Sequence, residues 1–168
     1  MPYAPIAAAV GGRPFLIPAL ESRIVEDPTN PNAYRIDVKL YNAGSALTLG
    51  GVYEVFAGGT AATAPNPRVQ AIGGSVSNRM RLFCVALSAA AATAWDWFTI
   101  QGNCTILLEG STDIAAGDIL KPVASQIYLV QDHATVPTVS GIAIAHVAQA
   151  SATPTLGAAY LIGNPASI

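Results

Sequence analysis

The chain has 168 residues, of which 52% are apolar and only 11% charged, with 8 Lys+Arg against 10 Asp+Glu. An ordinary soluble domain carries about 25% charged residues, so solvating charge is present at under half the usual level. A net charge of −2 provides no basic stripe for neutralising phosphates, and no apolar run approaches the roughly 18 residues of a spanning helix, so neither nucleic acid nor membrane is an expected partner.

Even with its 31 alanines set aside, about a third of the chain is larger apolar side chains, enough for a single core without disulfide or metal staples. Cys84 and Cys104 read as two small buried hydrophobes, with one disulfide as the alternative. Residues 1 to 32 hold Pro2, Pro5, Pro14, Pro18, Pro28 and Pro31, half of the chain's 12 prolines. Each removes a donor and restricts its predecessor, which predicts an extended arm. Its apolar residues Tyr3, Ile6, Val10, Phe15, Leu16, Ile17, Leu20 and Ile24 set it apart from a polar disordered tail; such an arm lies over its own body or over a neighbour.

A single β-rich domain is expected over 33–168. Tyr34, Ile36, Val38 and Leu40 alternate with Arg35, Asp37, Lys39 and Tyr41, the pattern of a half-buried strand. Asn42-Ala43-Gly44-Ser45 is a turn signal, and Gly50-Gly51 precedes a strand over Val52 to Ala57. After the Gly/Ala/Thr/Pro loop from Gly58 to Pro67, strands are expected over Arg68 to Ile72 and Arg79 to Leu87. The Ala-rich stretch Ser88 to Ala94 is a turn or a short helix, since so brief a run is marginal without packing.

Two β-type runs, Trp95 to Gln101 and Asn103 to Glu109, are separated by Gly102. Further β-type runs are Ile119-Leu120, Ile127 to Val130, Ile142 to Val147 and Gly157 to Ile162. Strands at near-regular intervals without a long helix point to an all-β fold, an antiparallel β-sandwich or barrel carrying the extended Pro-rich N-terminal arm.

After Asp132 there is no Asp, Glu, Lys or Arg to the end of the chain. An outer surface without charge suits the centre of a lasting interface, which is depleted in charged residues, so self-association is expected. Trp95, Trp97, Ile142, Ile144, Leu156 and Tyr160 are the candidate residues of the oligomer interface or core.

The inventory for catalysis is thin. His133 and His146 are the general-base candidates, read as a solvated loop histidine and a sheet histidine. Gly73-Gly74-Ser75-Val76-Ser77 only superficially resembles a nucleophile elbow, and the Cys and His spacings lack the close pairs of a zinc site. Asp113 and Asp118, near Glu109, read as turn residues capping local donors. No catalytic residue, metal ligand or cofactor is assigned. Trp95 and Trp97, with nearby Tyr residues, offer a sugar-stacking platform as the alternative to interface anchors.

The segment Trp95-Asp96-Trp97-Phe98-Thr99-Ile100-Gln101-Gly102, continuing through Cys104-Thr105-Ile106-Leu107-Leu108-Glu109-Gly110 to Ala115-Ala116-Gly117-Asp118-Ile119-Leu120, resembles the tailed-bacteriophage head decoration (capsid cement) proteins. Their pattern runs W-x-W-V-x-x-x-G, V-x-G, A-A-G-D-x-L. Gly141-Ile142-Ala143-Ile144-Ala145-His146 is similar to their later G-x-A-x-x-A strand. The resemblance spans about half the chain, from Phe83 to Ile162. It implies a β-rich, commonly trimeric, non-enzymatic virion protein on the outer surface of the capsid, with the major capsid protein and its own copies as partners. The arm residues Tyr3 to Leu20 would then grip the capsid. A carbohydrate-binding or host-adhesion module is the alternative reading.

Overall fold

In the computed structural model, residues 7–10, 13–16, 21–27, 30–42, 44–56, 68–73, 82–111, 113–132 and 141–162 are described. They form an all-β fold of twelve strands: β1 (Ala7–Val10), β2 (Arg13–Leu16), β3 (Ser22–Asp27), β4 (Asn30–Asn42), β5 (Val52–Phe56), β6 (Arg68–Gln70), β7 (Leu82–Ala86), β8 (Ala94–Leu108), β9 (Ile119–Pro122), β10 (Leu129–Gln131), β11 (Ala143–Ala145) and β12 (Thr155–Leu161). β1 and β2 make a separate antiparallel pair, and the other ten strands form one sheet.

That sheet closes on itself twice. The N-terminal half of β8 pairs with β4 and β7, and β7, β5, β6 and β4 follow in order, completing a first ring of five strands. The C-terminal half of β8 pairs with β12, and β11, β9 and β10 lead back to Leu108 of β8, completing a second ring. Pairing is antiparallel except at β4–β6 and β10–β8, so the sheet is mixed where alternation predicted an antiparallel one.

Each ring has its own core, and strand alternation explains which residues enter it. Val38, Leu40, Tyr53, Val55, Val69, Cys84, Ala86, Phe98 and Ile100 fill the first. Cys104, Ile106, Leu108, Leu120, Leu129, Ala143, Ala145, Ala159 and Leu161 fill the second. β5 and β7 serve both: Tyr53, Cys84 and Ala86 face the first core, while Val52, Phe83 and Val85 join the second. Burial on two faces is why Leu82–Ala86 reads as a continuous apolar run. The two cysteines are free and lie in different cores, so the disulfide alternative is set aside.

Three expectations are corrected and one open reading is settled. Gly102 does not separate two strands; β8 runs unbroken through it with φ of +104°. The chain changes pairing partner there, from β4 at Gln101 to β12 at Leu161, just beyond a register shift opposite Ile36. Of the turn and the short helix open for Ser88 to Ala94, the turn is found, at Ala92-Thr93; the Ala90 carbonyl accepts from Leu47 N at 2.8 Å and that of Ala91 from the Asn42 amide at 3.2 Å, which ties the stretch to β4 and the loop after it. Ser22–Asp27, part of the Pro-rich region by composition, is bonded along β4 from Ser22–Val38 to Asp27–Asn30. His146 lies in an exposed bend just past β11, not in a sheet.

Gly102 is where the start of β4 crosses β8. A Cβ there would stand 2.5 Å from the Tyr34 carbonyl oxygen and 2.6 Å from Arg35 Cα. Gly117 has a similar φ of +94° but nothing within 4 Å. Gly117→Ala therefore pays only left-handed strain, about 1–2 kcal/mol, whereas Gly102→Ala adds a backbone clash of about 1–3 kcal/mol more. Urea unfolding should order the variants this way; equal losses would contradict the crossing.

Candidate functional site

Two surfaces stand out, one on each ring. On the second ring, alternation sends Thr105 and Leu107 of β8, Leu156, Ala158 and Tyr160 of β12, Ile144 of β11 and Ile119 of β9 outward. The register brings them into contiguous rows: Leu156 opposite Leu107, Ala158 opposite Thr105, Ile144 opposite Tyr160, and Ile119 opposite Ile144. None of these residues is charged. Leu156 keeps 48% of its surface exposed and lies over Gly50, beside exposed Leu49.

At Tyr160 the face continues into a cavity of about 390 Å³ lined by Ile24, Tyr34, Ile36, Gln101 and Tyr160. Ile24, on β3 at the end of the strand order, is 68% exposed. Leu156 is exposed and Leu107, Ile119, Ile144 and Tyr160 half-buried, which makes this face a candidate interaction surface.

On the first ring, the outer face of β3, β4 and β8 gathers much of the chain's charge. Asp37 is fully buried and accepts from Thr99 Oγ1 at 2.8 Å, Arg23 Nε at 3.1 Å and Arg35 Nε at 3.2 Å. Three strands are thereby pinned through one carboxylate, whose removal would leave two arginines without their shared counter-charge. The Arg23 guanidinium also lies 4.2 Å from the centre of the Trp97 ring, a cation–π contact. Tyr41 meets Trp95 edge to face at 5.6 Å, and Lys39 Nζ pairs with Glu21 Oε2 at 2.9 Å.

The candidate residues divide accordingly. Ile142 is fully buried core; Ile144 and Tyr160 are half-buried and Leu156 exposed on the uncharged face; Trp95 is exposed and Trp97 half-buried on the other ring. Val10 lies in β1 and Phe15 and Leu16 in β2, described as backbone only, while Tyr3, Ile6, Ile17, Leu20 and His133 fall outside the described residues. Ile24, Tyr34 and Ile36 entered no candidate site by sequence. The turn signal Asp27-Pro28-Thr29-Asn30 would have paired Ile24 with Ile36 across a hairpin.

Polar side chains also meet at a cavity of about 560 Å³ on the first ring, lined by Asn42, Ser45, Thr48, Tyr53, Arg68 and Gln70 among others. Asp118 Oδ2 accepts from Ala115 N at 2.7 Å and Gln131 Nε2 at 2.6 Å, and Glu109 accepts from Ser111 N at 3.1 Å, so both are engaged locally. Among the described residues no group of three His, Cys, Asp or Glu is placed to hold a metal ion. No family model matches the chain, and no curated protein is significantly similar to it.

Burial pushes both thiols up, Cys84 well above its ordinary 9.0 and Cys104 to about 12. The thiolate is the nucleophile, so neither cysteine should react with a disulfide reagent at pH 8 until the protein is unfolded. Because the folded values are the higher ones, the stabilisation from both thiols is complete below pH 9.0 and falls above it, for Cys104 as pH rises towards about 12. Alkaline unfolding of the wild type should be steeper in this window than that of a Cys84→Ala/Cys104→Ala variant; identical profiles would contradict the burial of both thiols.

Proposed function

We propose that the chain is a structural, non-enzymatic protein that decorates the outer surface of a tailed-phage head, binding the major capsid protein and cementing the shell as a homo-oligomer, in the manner of the family a trimer. The uncharged face of the second ring carries this reading. Leu107, Leu156, Ile144 and Tyr160 form rows of apolar side chains on rigid, doubly paired strands, a surface suited to permanent contact with further copies. Lasting interfaces exceed about 2,000 Å² and are apolar at their centre; the work required is burial of area, with no reacting group.

The order Trp95-Asp96-Trp97, Gly102, Ala115-Ala116-Gly117-Asp118, Gly141-Ile142-Ala143 supports the capsid as the place. The arm supplies the second contact. Its prolines restrict the unbound chain and lower the ordering cost of docking, and joining several arms through one oligomer multiplies weak single contacts.

Mixing purified heads with variants separates the two contacts. Leu156→Asp buries a charge at the centre of the proposed interface and should leave folded monomers that bind heads at least tenfold more weakly, by loss of effective concentration. Truncation before Glu21, which retains β3, should leave the oligomer intact and release it from the heads. An arm-less protein that still saturates heads would overturn the proposed capsid contact, and a Leu156→Asp protein that remains oligomeric would overturn the proposed interface.

A further inference from the structure

Trp95 and Trp97 leave the same face of β8, yet their surroundings differ. The Trp97 ring is covered by Arg23, and Arg23 is held by buried Asp37, so this indole is engaged from within the molecule. Trp95 is braced by Tyr41 and keeps 47% of its surface exposed. An indole fixed on a long paired strand has little freedom left to lose when a ligand stacks on it.

The surroundings of Trp95 select the kind of ligand. Lys39 stands opposite Trp97 and diagonal to Trp95, about 7–8 Å away by strand geometry, and its ammonium pairs with the Glu21 carboxylate on the β3 side, in reach of solvent. A protein hot spot sits within a surround that excludes water, and a nucleobase platform lies in a positive groove. Here Arg23, Arg35 and Lys39 are nearly balanced by Asp37 and Glu21. A pyranose matches this mixture: its C–H face is apolar and flat enough to stack on indole, while its hydroxyls both accept from an ammonium and donate to a carboxylate.

We propose that Trp95, with Lys39 and Glu21, forms a subsite for a neutral hexopyranose of a polysaccharide, separate from the uncharged face on the other ring. The subsite would give an assembled particle many weak sugar contacts, each multiplied by the number of copies displayed.

The full-length protein is applied to an array of neutral glycans, and the bound oligosaccharide is then titrated while tryptophan fluorescence is followed in a Trp97→Phe background, where Trp95 is the sole reporter. Stacking should shift and quench the emission, and the effect should survive high salt, which screens purely ionic binding. Trp95→Ala should abolish array binding, Trp95→Phe should weaken it, and Lys39→Ala should weaken it with the indole intact. Circular dichroism confirms folding, and the Phe and Lys39 variants decide the matter if the Ala variant misfolds. No neutral glycan bound, binding unchanged in Trp95→Ala and Lys39→Ala, or binding confined to protein or nucleic-acid probes would overturn the subsite.

Discussion

One strand belongs to both rings, and the rest of the architecture depends on it. β8 supplies Phe98 and Ile100 to the first core and Cys104, Ile106 and Leu108 to the second, so neither ring closes without it. The changeover at Gly102 leaves no room for a side chain because β4 crosses there. Further bonds between the rings, Val52 N to Ile127 O at 2.9 Å and Leu107 N to Gly50 O at 2.8 Å, make opening of one ring costly to the other. Ten strands with mostly long-range pairings thus become a stiff block. Stiffness of that kind suits a protein proposed to work by covering area.

The scarcity of charge is distributed with this geometry. Arg23, Arg35, Asp37, Lys39 and Glu21 are concentrated on the outer face of the first ring, where they pin β3 to β4 and reach β8 through Thr99. The second ring carries Lys121 and Asp132 on β9 and just past β10, paired at 3.1 Å, and its β11–β12–β8 face has none. An ordered block with one ionic face and one blank apolar face has two kinds of surface to offer, and the proposed oligomer and glycan contacts use one each.

The all-β class and most strand positions were legible because alternation of apolar residues is a local signal. The closing of two rings was not, since a shared strand looks in sequence like two strands with a glycine between them; only the approach of Tyr34 and Arg35 reveals why Gly102 is there. Composition likewise hid β3, because the prolines of the first 32 residues read as a continuous arm, whereas Ser22–Asp27 is a strand and Pro31 lies within β4. Asp37 sits on the polar side of a clean alternation, yet it is buried, since Arg23 from β3 and Thr99 from β8 reach it from outside its own strand. The uncharged stretch after Asp132 pointed to a face, but alternation had to divide it: Ile142 went to the core, while Ile144, Leu156 and Tyr160 went to the surface.

Sedimentation velocity of the wild-type protein across submicromolar to tens of micromolar concentrations bears most directly on the claim that the blank face of the second ring is an interface. The chain mass is 17.2 kDa. A dominant species at a whole multiple of this mass, three for the proposed trimer, is the expected result. A protein that sediments as a 17.2 kDa monomer at every concentration would contradict it.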